Sequence, residues 1–243
     1  MPDLYSNTDD GSCLAIFQSS FAAARDNAGM LLVSGRSTYS FATAVQKQAG
    51  RGGTTFNVGR SFFYFDTSII NPLKTVASAT IKIRGFSSTS GDVIAVKSTA
   101  FGGDGGTALA ASDFNNITGY SSGASLAGNA TDYSAAFTST WSTGGYNSLV
   151  GTSDLKADMA SDDVVIICIM NYTYDYLNQE PASQGLFYAG AYFTENSGTS
   201  SDPYIEYEFA ADGYGNAVSG VTSGNISKIN GIATANISKV IGV

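Results

Sequence analysis

Residues 60–86, RSFFYFDTSIINPLKTVASATIKIRGF, constrain the fold of this chain more than any other stretch. Phe62 and Tyr64 point one way, with Asp66 after them, while Phe63 and Phe65 point the other. Period-two alternation with aromatics on both faces describes a strand covered on both sides. Asn71-Pro72 is a turn signal, because proline fixes its own φ and pushes the preceding residue out of the helical region. In the second strand Ala79, Ile81 and Ile83 share one face and Thr80, Lys82 and Arg84 the other, the pattern of a half-buried strand with one wet side.

The rest of the composition agrees with β-structure. Charged residues make up 13% of the 243 positions, while Gly, Ser, Thr and Asn are plentiful, as in turn-rich extracellular or virion proteins and unlike helix bundles. The length suits one β-sandwich with a tail, or two small domains. A net charge of −8 and twelve scattered Lys and Arg give no basic face, so nucleic acid is not expected as a partner. No stretch approaches the length of a membrane span. The opening MPDLYSNTDDGSCLAIFQ lacks a basic segment followed by an apolar run, so no secretory signal is read in it. Extracellular character without a signal points to a virion component released by lysis, with a processed extracellular chain or a specialised secretion route as the alternatives.

Taken in order, residues 17–25 (FQSSFAAAR) favour a short helical turn. Short strands are expected at 30–33 and around Tyr39 and Phe41, and 46–55 (QKQAGRGGTT) reads as a loop. A further strand is expected at 93–97, and 107–163 looks long, polar and poor in strands. The uninterrupted apolar run at 164–170 (VVIICIM) reads as a buried strand, with Tyr172, Tyr174 and Tyr176 alternating after it. Residues 186–193 form another strand with Gly190 at a bulge. In 204–209 (YIEYEF), Ile205, Tyr207 and Phe209 face inward and Glu206 and Glu208 outward. Eight or nine strands with irregular loops fit a two-sheet jelly roll.

The residues Arg60, Ser61, Phe62, Phe65, Asp66, Pro72, Ala77, Ser78, Ala79, Thr80 and Ile81 carry a family resemblance. Together with 203–207 as a closing strand, they resemble DNRLRE-type jelly-roll domains, a carbohydrate-binding-module-like β-sandwich family of cell-surface and virion proteins. That resemblance implies an all-β, two-sheet jelly-roll body. It also draws attention to Trp141, which looks similar to a tryptophan-bearing segment of the family.

After Asp212 the character of the chain changes. All twenty acidic residues precede position 213, so residues 1–212 carry −10 and 213–243 carry +2. The tail has an eleven-residue repeat: Val218, Ile229 and Val240 correspond, as do Val221, Ile232 and Val243, with Ile226 and Ile237 heading the Ile-Ser-Lys units. Periodic glycines and β-branched residues oppose a helix and favour short strands. Such a segment is suited to adding strands to a neighbouring subunit. The run at 226–232 (ISKINGI) resembles C-terminal tails of tailed-phage structural proteins.

The chain has no histidine, which removes Ser-His-Asp and Cys-His catalysis and the usual zinc sites. Glu206 and Glu208 stand two apart on a wet face, the setting of a solvated edge rather than an acid/base pair. Asp92 and Asp104, beside glycine-rich turns, are candidate calcium ligands or turn caps. Trp141, Tyr146, Tyr172 and Tyr174 are candidate sugar-stacking residues or packing aromatics. Cys168 lies in an apolar run, the setting of a buried thiol, and whether it pairs with Cys13 stays open. No catalysis and no cofactor are expected. The leading expectation is a virion structural protein of a tailed phage, a capsid decoration or fibre-like protein, whose tail binds copies of itself or other virion proteins. A carbohydrate-binding adhesion module and a self-assembling extracellular filament are the alternatives.

Overall fold

A computed structural model describes residues 2–26, 31–35, 39–70, 72–194, 198–210, 228–229 and 232–233. The chain divides into two compact units, Met1–Glu208 and Phe209–Val243.

The first unit is all-β with few helices. Its strands are β1 (Asp3–Tyr5), β2 (Gly11–Gln18), β3 (Leu31–Gly35), β4 (Tyr39–Gly50), β5 (Gly53–Asp66), β6 (Val76–Ser88), β7 (Val93–Lys97), β8 (Tyr146–Val150), β9 (Val164–Asn171), β10 (Gly185–Tyr192) and β11 (Tyr204–Phe209). Two helices, α1 (Phe21–Arg25) and α2 (Ser153–Ser161), pack onto them. Hydrogen bonds link all eleven strands in the order β1-β11-β6-β10-β4-β5-β2-β3, with β8 on β6, and β9 between β5 and β7.

β5 is the hub. β2 runs along its Phe56–Phe62 portion, β4 pairs with it up to Arg60, and β9 takes over from Ser61. A strand has two edges and β2 overlaps both of the others, so β4 and β9 share the opposite edge end to end. Phe62, Phe63 and Phe65 are fully buried, as the alternation requires. On one face Phe62 packs with Ile94, Val96, Ile166, Cys168 and Phe114. On the other, Phe63 stacks on Phe193 with ring centroids 5.4 Å apart. Burying a Phe side chain is worth roughly 1.5–3 kcal/mol, so these three rings are a large part of the apolar stabilisation. In β6, Ala79, Ile81 and Ile83 are buried and Lys82 and Arg84 partly exposed, as the sequence pattern predicts.

The structure departs from the sequence expectations in four places. Residues 46–55 are not a loop: β4 and β5 pair from Gln46↔Asn57 to Gly50↔Gly53 and turn over Arg51 and Gly52, with Gly53 at φ 115°. The glycines belong to a hairpin turn, and the polar residues before them lie on an exposed strand end. Phe17 belongs to β2, so the helical turn starts later, capped by the Ser20 hydroxyl, which accepts from the Ala23 amide. Within 107–163 the sequence reading missed α2, whose Thr152 cap accepts from the Leu155 amide and which buries Leu155 and Met159. Tyr172–Tyr176 is a single π-helical turn rather than alternating strand, with the Leu177 amide donating to the Tyr172 carbonyl at 3.0 Å. The bulge at Gly190 is present: the β10–β4 register shifts between Ala189 and Gly190.

In the second unit the described residues form one antiparallel pair, β12 (Lys228–Ile229) with β13 (Ile232–Ala233). Lys228 pairs with Ala233 and Ile229 with Ile232.

Candidate functional site

The four aromatics singled out in the sequence do not form one site. Trp141 is buried, its Nε1 donates to the Gly190 carbonyl at 2.9 Å, and Phe137 meets its ring edge-on. It has no face free for a sugar. Tyr172 stacks on Tyr176, and Tyr174 leans on Phe187 at 4.7 Å, both packed against the core cluster under the π-helical turn. Tyr146 lies elsewhere, half-buried on the outward side of β8.

Tyr146 belongs to a row that crosses the strands. Its ring meets Tyr204 of β11 at 5.1 Å, and Tyr204 meets Tyr5 of β1 at 5.5 Å. On the other side the Arg84 guanidinium lies 5.9 Å from the Tyr146 ring and 6.0 Å from Tyr192, which meets Phe86 at 5.5 Å. The registers Tyr5↔Tyr204 and Arg84↔Tyr146 put the two members of each pair side by side. The Tyr146 hydroxyl donates to the Asp202 carbonyl at 3.1 Å. Burial first, then the neighbouring Tyr204, pushes the Tyr146 phenol up to about 12, so it stays protonated at neutral pH. The next row is polar: Lys82 pairs with Glu206 at 3.2 Å and donates to Ser148 at 3.0 Å. Glu206 is therefore a structural partner, while Glu208 is exposed. The sequence pointed to Tyr146 but not to its neighbours, because the row is assembled by pairing between distant strands.

The strongest electrostatic feature is buried. Arg60, fully inaccessible, forks onto Asp175 with two contacts of 2.7 Å. Its remaining donors reach the carbonyls of Phe114 (2.8 Å) and Arg25 (3.0 Å) and Asn115 Oδ1 (2.7 Å), and the guanidinium lies over the Phe114 ring at 4.3 Å. Burial alone would lower the Arg60 pKa, and the adjoining Asp175 carboxylate more than offsets this and holds the guanidinium above its ordinary value. Arg25, also buried, donates to the Asp175 carbonyl at 2.8 Å and to Asp26 at 3.0 Å. Asp26 in turn accepts from Tyr120, Ser122 and the Gly123 amide. The cluster joins β5, α1, the π-helical turn and the 110–123 segment. Every carboxylate oxygen of Asp175 faces a guanidinium, which describes a tie between chain segments rather than a group poised for proton transfer.

Cys13 and Cys168 are both buried free thiols. Cys13 sits opposite Arg60 on β2 and Cys168 opposite Phe62 on β9, with β5 between them. Two inter-strand spacings, with a two-residue offset along β5, put their Cα atoms roughly 11–12 Å apart, beyond the ~7 Å limit for a disulfide. Burial, then Asp113, pushes the Cys13 thiol up to about 12, against the lowering effect of Arg60. Burial also raises Cys168 well above its ordinary value. The thiolate is the reactive form, so neither cysteine should react with a disulfide reagent at pH 8 in the native chain, and both should react in denaturant. Labelling of the native chain on the timescale of a free thiol would contradict this placement.

Asp92 and Asp104 are spent on backbone amides, those of Thr173 (3.0 Å) and Gly106 (2.8 Å). Among the described residues no three His, Cys, Asp or Glu side chains lie close enough to hold a metal ion. No helix among them is long and apolar enough to cross a membrane. Two surface hollows of about 410 and 380 Å³ are lined respectively by Leu73, Lys74 and Lys156 and by Lys97, Asp154 and Asp158, none of them a residue the sequence marked.

Of the tail positions, Ile229 and Ile232 are described, and Ile232 is 55% exposed. Val218, Val221, Ile226, Ile237, Val240 and Val243 lie outside the described residues. Compared with known proteins, the chain matches no family model and no curated protein.

Proposed function

We propose that this chain is a non-enzymatic structural subunit of a virion, of the kind that decorates a tailed-phage capsid or forms a fibre-like surface protein. Its body is a two-sheet jelly roll, and its C-terminal tail joins neighbouring copies by strand addition. The observation that carries the reading is the antiparallel strand pair of the tail. Ile229 and Ile232 are register partners in a two-strand ladder, and Ile232 stands 55% exposed. Two strands alone are marginal in water, and stability comes with a third strand or a packed apolar face. A ladder of two strands offers edges for pairing, and main-chain hydrogen bonds with alternate side-chain pockets then supply the affinity.

The body supports the same reading. β5 is sheathed on both faces and its one buried arginine is consumed in tying segments together, which suits a rigid displayed module. The resemblance of 60–86 to DNRLRE-type domains and of 226–232 to phage tails adds the virion context. The test is solution mass with and without the tail: loss of assembly on removing residues 213–243, with the body still folded, is the expected result. An open-ended series of sizes rather than a closed oligomer would favour the filament alternative, since heterologous contacts that do not close give fibres.

A further inference from the structure

We propose that the open edge of β8 is the acceptor on which the tail strand pair of a neighbouring copy docks, a reading that rests on assembly through the tail. Two hydrogen bonds fix which way the β8 backbone points. The Gly85 amide donates to the Gly145 carbonyl at 3.0 Å, and the Gly151 amide to the Ala79 carbonyl at 2.9 Å. With the register Arg84↔Tyr146, Lys82↔Ser148 and Thr80↔Val150, these bonds make all three the non-hydrogen-bonded pairs of the ladder. The N–H and C=O groups of Tyr146, Ser148 and Val150 therefore point away from β6. An isolated bridge, Ser134↔Gly151, closes the edge at the Val150 carbonyl. Among the described residues no hydrogen bond reaches the other five groups, the three amides and the carbonyls of Tyr146 and Ser148.

The other edges are less receptive. β7 is spent, since Val93 and Phe137 exchange amide-to-carbonyl bonds and the Lys97 amide donates to the Thr131 carbonyl. β1 is three residues long and carries Asp3, a short charged edge of the kind that discourages pairing. β8 has five residues, an unbroken register, no charge and no proline. Its inward residues Asn147 and Leu149 are buried, so the strand is firmly seated, while Val150 stands 67% exposed on the outward side.

Charge selects the tail as the occupant. Residues 213–243 carry Lys228 and Lys239 and no acid. Just past Val150, Asp154 stands exposed in the first turn of α2. Lys97, in the same hollow, is taken by Asp158 at 2.9 Å and Asp162 at 3.5 Å. Burial, and then the charge of Asp154, hold the Asp132 carboxyl above its ordinary value against the lowering effect of its hydrogen bond with Tyr176. This end of β8 therefore favours an incoming cation. The β12–β13 pair gains from the same contact, because two strands alone are marginal and β8 supplies a third that is already packed on a core. Val150 gives its β-branched residues an apolar neighbour on the outward face.

The experiment is size exclusion with light scattering on the full chain as a concentration series, with a thermal melt for every variant. Ser148→Pro removes only an outward N–H, since that amide makes no bond to β6, and proline is tolerated at such edge positions. Val150→Lys adds an edge charge that repels the tail cations. Each should raise the concentration for half-assembly about tenfold or more, while Ser183→Lys, at an exposed site on another segment, should leave it unchanged. Lys228→Glu should weaken assembly, and Asp154→Lys added to it should restore most of the loss, a rescue that a folding defect would not give. Should Ser148→Pro fail to fold, Val150→Lys decides. A native chain that stays a single copy at every concentration would overturn the tail reading and this docking edge with it. Native assembly that survives in folded Ser148→Pro and Val150→Lys, or no rescue by Asp154→Lys, would overturn the docking edge alone.

Discussion

Replacing Arg60 with alanine is expected to cost about 4 kcal/mol of folding stability, since removing one partner of a buried ion pair strands the other. For a body of this size that corresponds to a fall in Tm of roughly 10 °C. The loss has three parts. Asp175 would keep only the 3.5 Å approach of Arg25 Nε to its carboxylate. The carbonyls of Phe114 and Arg25 would lose their donors, and a buried unsatisfied acceptor costs about 1–3 kcal/mol. A cavity would open beside the Phe114 ring. Arg60→Lys should recover only part of this, because an ammonium cannot fork onto a carboxylate and reach two carbonyls besides. Asp175→Asn introduced after Arg60→Ala should add little, since the two act as one unit. Urea or thermal unfolding measures all three variants, and a loss below about 1 kcal/mol in Arg60→Ala would remove the cluster from its structural role.

Gly85→Ala is expected to be at least as damaging. A Cβ at this position would stand 1.8 Å from the Ser142 carbonyl oxygen and 2.8 Å from Trp141 Nε1. The first obstacle is backbone, and the Gly85 amide donates to the Gly145 carbonyl at 3.0 Å, so neither side can retreat freely. Overpacking ordinarily costs about 1–3 kcal/mol, and a collision with main chain lies at or beyond the top of that range. Gly91 repeats the arrangement, with its added Cβ 1.9 Å from the Ser139 carbonyl oxygen. Gly144→Ala, where an added Cβ meets nothing within 4 Å, is the matched control. Comparable soluble yields and melting temperatures for Gly85→Ala and Gly144→Ala would show that the 139–142 segment does not lie against β6 as described.

These two sites show how far the sequence could be read. The strands were legible where a local pattern fixes them: the alternation of 62–65, the apolar run of 164–170 and the inward positions Ile205 and Tyr207 all appear as expected. Failures came where distant segments decide the outcome. Nothing near Gly85 announces that Ser142 will press on it. The alternation of Tyr172, Tyr174 and Tyr176 resembles a strand, but the Asn171 side chain accepts from the Tyr174 amide and Asp92 from the Thr173 amide, and the chain turns. That turn delivers Asp175 to Arg60. Arg60 itself stood in the sequence as one letter of a familiar stretch, with no sign that its carboxylate partner lies 115 positions onward. Trp141, the most conspicuous aromatic in the sequence, is a packing residue, while Tyr146 lies in an outward cluster with Tyr5, Tyr204 and Arg84, which only strand pairing brings together.

The central claim is that the tail makes this chain an assembling subunit. Light scattering coupled to size exclusion, run as a concentration series on the full chain and on a version ending at Asp212, tests it directly. The account predicts multiples of the 25.1 kDa chain mass for the full chain and a single folded copy for the shortened one. A full chain that stays at 25.1 kDa at every concentration, or a shortened chain that assembles equally well, would contradict it.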